Sequence, residues 1–213
     1  MAVTSVSENG AVVAPPSPIL TNLIPVQELA PGQIAAIKNE AIKALLAMAS
    51  AQLQMSVDNL VVRDIMPYTD LKWGTDATTG LAKAALTTDI WYLQTDDSLT
   101  GYLPLVTSAS TVMGDQKFCA IWGLRDARGA EATVVAQTTS LWKFDIGHSI
   151  KAIWDVSKLY AYRYNAYGIC PSPVIIPQNV YYQIYGYSIL VNVMSWLMLD
   201  GCIVEPRGKQ VSP

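Results

Sequence analysis

The chain has 213 residues, enough for one domain with an arm and for a core that needs no disulfide or metal staples. Apolar residues make up 51% and charged residues only 15%, where an average soluble domain carries about 25% charged. That excludes disorder over the whole length and a highly charged free-standing protein, and a net charge of −3 exerts no bulk pull on nucleic acid.

Residues 1–32 read as an extended arm. Pro15, Pro16, Pro18, Pro25 and Pro31 keep this stretch out of helices and off central strands. Between them Ile19, Leu20, Leu23, Ile24 and Val26 need a surface, either on their own domain or on a neighbour. The first basic residue is Lys38, so the arm cannot neutralise phosphates and strong nucleic-acid binding is not expected. The opening residues lack the basic start and continuous apolar run of a secretory signal.

Residues 33–55 are expected to be helical. Ile34, Ile37, Ala41, Ile42, Leu45, Met48, Ala49 and Leu53 recur at three- and four-residue steps, with no Pro or Gly inside. Lys38 and Lys43 make a weak basic face, so packing against protein is favoured over a membrane surface.

Residues 56–213 change texture. Short β-rich runs lie about 8 to 15 residues apart with Gly, Pro, Asp and Ser between them. The runs are Leu60–Ile65, Asp89–Leu93, Gly101–Val106, Lys117–Leu124, Ala132–Ala136, Leu141–Ile146, Ile150–Asp155, Val174–Ile176, Val180–Tyr185, Ile189–Leu199 and Cys202–Val204. Long helices do not alternate with them, which points to a sandwich or barrel and not to a parallel α/β sheet. Residues 155–165 could form a helical turn; in a strand, Tyr160, Tyr162 and Tyr164 would share one face. With Arg163 that face could stack bases, but a tyrosine-rich inter-subunit surface is the preferred reading. The stretch Tyr187–Val204 approaches bilayer length, but Asn192, Ser195, Asp200 and Gly201 interrupt it. A strand pair turning at Asp200–Gly201 fits it better.

Residues for catalysis are scarce. His148 is the lone histidine and follows Gly147, as a turn residue would; no nucleophile elbow accompanies it. Asp96 and Asp97 are adjacent, so in a strand they would face opposite ways, a poor acid–base pair; calcium in that loop is the alternative. The segment Arg125–Gly129 reads as a hairpin loop, and no phosphate-binding glycine motif occurs. Cys119, Cys170 and Cys202 lie far apart in sequence and read as buried thiols of a reducing compartment, a disulfide between two of them being the alternative. The chain is therefore expected not to be an enzyme and to need no cofactor or metal.

The carboxy-terminal stretch carries the most specific pattern. Ile175, Ile176, Pro177 and Asn179 precede one strand; Leu199, Gly201, Arg207 and Gln210 surround a short last one. Upstream stand Val62, Arg63, Asp64, Pro67, Thr69, Asp70, Leu71 and Trp73. Together these segments resemble jelly-roll capsid proteins of icosahedral bacterial and archaeal viruses. The resemblance implies a mainly β chain: a single jelly-roll sandwich, an extended N-terminal arm and one N-terminal α-helix. It implies a structural virion protein, made in the host cytoplasm, that self-assembles through sandwich and arm. Its partners would be copies of itself and other capsid proteins, with either protein or an internal membrane beneath the shell. Ile19, Leu20, Leu23, Ile24, Ile34, Ile37, Leu45, Tyr160, Tyr162 and Tyr164 are the expected inter-subunit contacts. The alternative is a carbohydrate-binding, lectin-like or receptor-binding sandwich with Trp73, Trp91, Trp122, Trp142 and Trp154 as stacking platforms.

Overall fold

The computed structural model describes residues 20–65, 70, 91–94, 101–104, 112–126, 139–162, 167–188 and 194–209, without the side chains of 91–94, 101–104, 126, 139, 160, 188 and 194–198. Two short strands come first, β1 (Leu20–Asn22) and β2 (Ile24–Pro25), then a 3-10 turn at Val26–Glu28 and helix α1 (Pro31–Leu53). Strands β3 (Leu60–Asp64), β4 (Trp91–Gln94), β5 (Gly101–Pro104) and β6 (Phe118–Asp126) follow. The order continues with β7 (Thr139–Ile146), β8 (Ile150–Asp155), β9 (Tyr167–Ile176), β10 (Tyr182–Ser188) and β11 (Met194–Pro206). The chain is mainly β, as expected. One sheet runs β1-β8-β7-β10-β5; the other runs β2-β9-β6-β11-β3, with β4 also on β11.

The two sheets face each other across one core. Cys119 and Ile121 of β6 meet Trp142 and Phe144 of β7 and Trp154 of β8. The Phe144 and Trp154 rings lie 4.5 Å apart at a tilt of 56°, a favourable aromatic geometry. A second core lies on the outer face of the β6 sheet. There Ala41, Leu45 and Ala49 of α1 pack on Phe118, Ala120 and Trp122 of β6 and on Cys202 and Val204 of β11. Strand β6 is thus buried on both faces, which is why Phe118–Leu124 reads as an unbroken apolar run.

Helix α1 starts at Pro31, two residues before the sequence reading, because proline is well placed at a first helical position. The Ala30 N–H donates to Gln33 Oε1 at 2.9 Å. At the other end Gln54 turns left-handed with φ 53°, and the Ser50 hydroxyl donates to the Met55 carbonyl at 2.6 Å.

The structure departs from the sequence reading at the Asp200–Gly201 turn and at the start of β9. Residues Leu20–Pro25 lie on their own domain, one of the two surfaces expected for them: β1 pairs in parallel with β8, β2 pairs antiparallel with β9, and Leu23 between them is fully buried. Asp200–Gly201 does not turn the chain. Strand β11 runs straight through it, and the register on β6 shifts there, with Asp200 opposite Gly123 and Gly201 opposite Ile121. This is a bulge that leaves Trp122 as the extra residue. A Cβ on Gly201 would collide with the Ala120 carbonyl oxygen and lie 2.7 Å from Ile65 Cδ1. Strand β9 begins at Tyr167 and not at Val174, because Pro171 and Pro173 fall where its ladder with β6 is interrupted. Ser157–Ala161 is a 3-10 helix, the helical turn expected within 155–165, so Tyr160 and Tyr162 do not line a strand face. The expected strand Ala132–Ala136 lies outside the described residues.

Candidate functional site

The leading segment crosses one open flank of the sandwich. The Leu23 N–H donates to the Asp155 carbonyl at 3.0 Å, and the chain then passes from the β8 sheet to the β9 sheet. Gly168 of β9 sits beneath this crossing; a Cβ there would lie 2.8 Å from both Leu23 and Leu159 side chains. Only glycine lets the crossing segment lie so close.

Beyond β1 the same flank opens into a cleft of about 470 Å³. Thr21, Lys151, Trp154, Cys170, Ser172 and Val174 are among its lining residues. Trp154 is fully buried, with its side chain hydrogen-bonded to the Cys170 thiol, which partly offsets the upward push of burial on that thiol. Strand β8 pairs with β1 only at Ile153–Asp155, so among the described residues its edge at 150–152 has no ladder partner on that side. Leu20 and Ile150 are 56% and 46% exposed.

The opposite edge holds a buried ion-pair cluster. The Arg63 guanidinium donates to both Asp70 oxygens, at 2.6 and 2.7 Å, and through Nε to Glu205 Oε1 at 2.7 Å. Lys117 adds a 3.2 Å bond to Asp70. The Asp70 and Glu205 side chains are 0% and 1% exposed, a placement that carboxylates tolerate only when paired. The bond to Asp70 first, and then that to Glu205, hold Arg63 above the ordinary guanidinium range against the opposing effect of burial. The two cations are committed to the two carboxylates, and the arrangement pins residue 70 to β3 and β11.

A third polar group ties α1 to the bulge. Lys38 Nζ lies 2.9 Å from Asp200 and 5.5 Å from the centre of the Trp122 ring, and Tyr167 also donates to Asp200.

The expected contact residues scatter over these features. Leu20 is exposed, while Ile24, Ile34 and Ile37 are half-buried. Leu23 and Leu45, expected at an inter-subunit contact, are fully buried within the single chain, because each fills one of its two cores. Tyr162 donates to Glu28 at 3.1 Å, within its own chain. Tyr160 is placed only as part of the 3-10 helix; Ile19 and Tyr164 lie outside the described residues, as do Asp96 and Asp97. Trp122, Trp142 and Trp154 are at most 4% exposed and cannot offer a face to a sugar; Trp73 and the Trp91 side chain lie outside the described residues.

His148 occupies a hairpin turn with Gly147, both at positive φ, 60° and 61°. Ile146 and Ser149 exchange backbone bonds of 2.9 and 3.3 Å, the pattern of a two-residue turn. The His148 ring stacks on Tyr181 at 4.2 Å. Cys119, Cys170 and Cys202 are buried free thiols. Among the described residues no helix is long and apolar enough to cross a membrane.

Arg63 and Asp70 were prominent in the sequence, but Lys117 and Glu205 were missed. A charged residue on the inward side of an apolar strand, as Glu205 is on β11, was the available signal.

No protein-family model matches the chain, and no curated protein or solved structure is significantly similar to it.

Proposed function

We propose that this chain is a structural virion protein, a jelly roll that assembles with copies of itself into a capsid shell through its sandwich and leading arm. The observation that carries the reading is the strand order. Among the described residues, setting aside β1, β2 and β4, eight strands remain, and they pair antiparallel as first with last: β3 with β11, β5 with β10, β6 with β9 and β7 with β8. One long hairpin, folded over on itself into two facing sheets, gives this nesting, and such rolls recur in viral capsids and in lectins. The burial of Trp122, Trp142 and Trp154 weighs against the lectin use.

Surface chemistry supports the same reading. Charged residues are few, and Leu20, Val57, Val62, Val112 and Ile150 are exposed apolar side chains. Neighbouring copies would cover such positions. The partners are further copies of this chain and other capsid proteins, with protein or an internal membrane beneath the shell; no cofactor is required. Localisation in the virion follows after synthesis in the host cytoplasm. Negative-stain microscopy of the expressed chain tests this, with closed shells or sheets as the expected result.

A further inference from the structure

The cleft beside β1 has the size and the chemistry of a small-molecule site. Its volume is about 470 Å³, within the range of about 300–1,000 Å³ for pockets that are mostly apolar with a few placed polar groups. Its walls come from both cores. Trp154 and Val174 belong to the core between the sheets, and Met48 and Ile175 pack with the core under α1. Val174 and Ile175 are neighbours on β9 and point to opposite faces of its sheet. A cleft lined by both therefore bends round the edge of that strand. A flexible, unbranched chain can follow such a path, whereas a rigid ring system cannot.

One charge borders this apolar space. Lys151 is the only charged residue among the described lining residues, and it is exposed, so its ammonium stands at the open side. Among the described residues no carboxylate pairs with it. An apolar, bent space with an uncommitted cation at its mouth is complementary to an anionic amphiphile. The chain of such a ligand leaves water for the cleft, and its head stays at the surface beside the opposite charge.

We propose that this cleft binds a free single-chain fatty acid, its acyl chain along Ala152, Trp154 and Val174 and its carboxylate paired with the Lys151 ammonium. The proposal goes beyond the shell reading and does not depend on it, because binding is read on the full-length chain whether or not it assembles.

Isothermal titration of the full-length protein with octanoate, decanoate and the uncharged decanol tests it. The expected result is one carboxylate per chain, with affinity rising about fourfold for each added methylene. Lys151→Gln, a change at an exposed position, should weaken decanoate about fivefold and leave decanol unaffected. Ala152→Phe places a ring in the cleft and should abolish the binding of both, with circular dichroism reporting whether the fold is kept. If Ala152→Phe does not fold, the Lys151→Gln comparison decides. Absence of saturable binding to the unsubstituted chain overturns the proposal. So does decanoate binding that Lys151→Gln leaves unchanged, or that persists in folded Ala152→Phe.

Discussion

Arg63 on β3 grips Asp70 through two near-parallel bonds of 2.6 and 2.7 Å, and the same guanidinium reaches Glu205 on β11. A planar fork that meets two carboxylates at once has no substitute among the other basic side chains. The contact joins the stretch after β3 to the last strand, which are far apart in sequence.

Removing one partner of this cluster leaves an uncompensated buried charge. Asp70→Ala is therefore expected to cost about 3–5 kcal/mol of folding stability. Arg63→Lys should also destabilise, because an ammonium cannot bridge Asp70 and Glu205 in the fork geometry. Urea unfolding midpoints of the two variants measure this. Unchanged midpoints would mean that the cluster is ornamental to the fold.

Leu23 and Leu20 are three residues apart and should respond oppositely to truncation. Leu23→Ala empties a fully buried position and should cost about 2–5 kcal/mol. Leu20→Ala, at a site 56% exposed, should change stability by no more than about 0.5 kcal/mol. Thermal or urea unfolding of both variants gives the comparison. Equal small effects would place the leading segment off the sandwich.

Gly201→Ala tests the bulge. The new methyl group would strike the Ala120 carbonyl and crowd Ile65, so β11 and β6 would have to separate locally. The expected loss is about 3 kcal/mol or more, at the upper end of overpacking effects. Gly208→Ala, with open space around its Cβ position but φ 95°, should suffer only backbone strain of about 1–2 kcal/mol. Denaturation curves of the two variants should separate clearly.

Much of this architecture was legible in the sequence. The three- and four-residue spacing from Ile34 to Leu53 marked α1, and the alternation of β-rich runs with turn residues marked a sandwich. Gly147–His148 read correctly as a turn because both the glycine and its neighbour fit left-handed backbone. Asp200–Gly201 misled because the same dipeptide serves a tight turn or a bulge, and only the close approach of Ala120 decides which. The prolines of β9 misled because the signal for a break is identical to that for an interrupted edge. The long-range union of Arg63, Asp70, Lys117 and Glu205 depends on tertiary register, which no local pattern carries.

The thiols give a pH signature. Burial first, and then the charge of Asp64, push Cys202 up from an ordinary 9.0 to about 12. Between those values the unfolded chain has released a proton that the native state still holds. Stability therefore falls as pH rises across that window and is unaffected by this group below it. Urea midpoints should decline over that range, with a shallower decline for Cys202→Ala. A thiol reagent at pH about 8 should label none of the three cysteines in the native protein and all three in denaturant.

The proposed function requires that this chain build a shell from copies of itself. Electron microscopy and sedimentation of the purified full-length protein, across a concentration series under assembly conditions, test it most directly. Closed particles or extended sheets that sediment far ahead of a single chain are the expected result. A species that remains a monomer at the highest concentration, with nothing assembled on the grid, would contradict it.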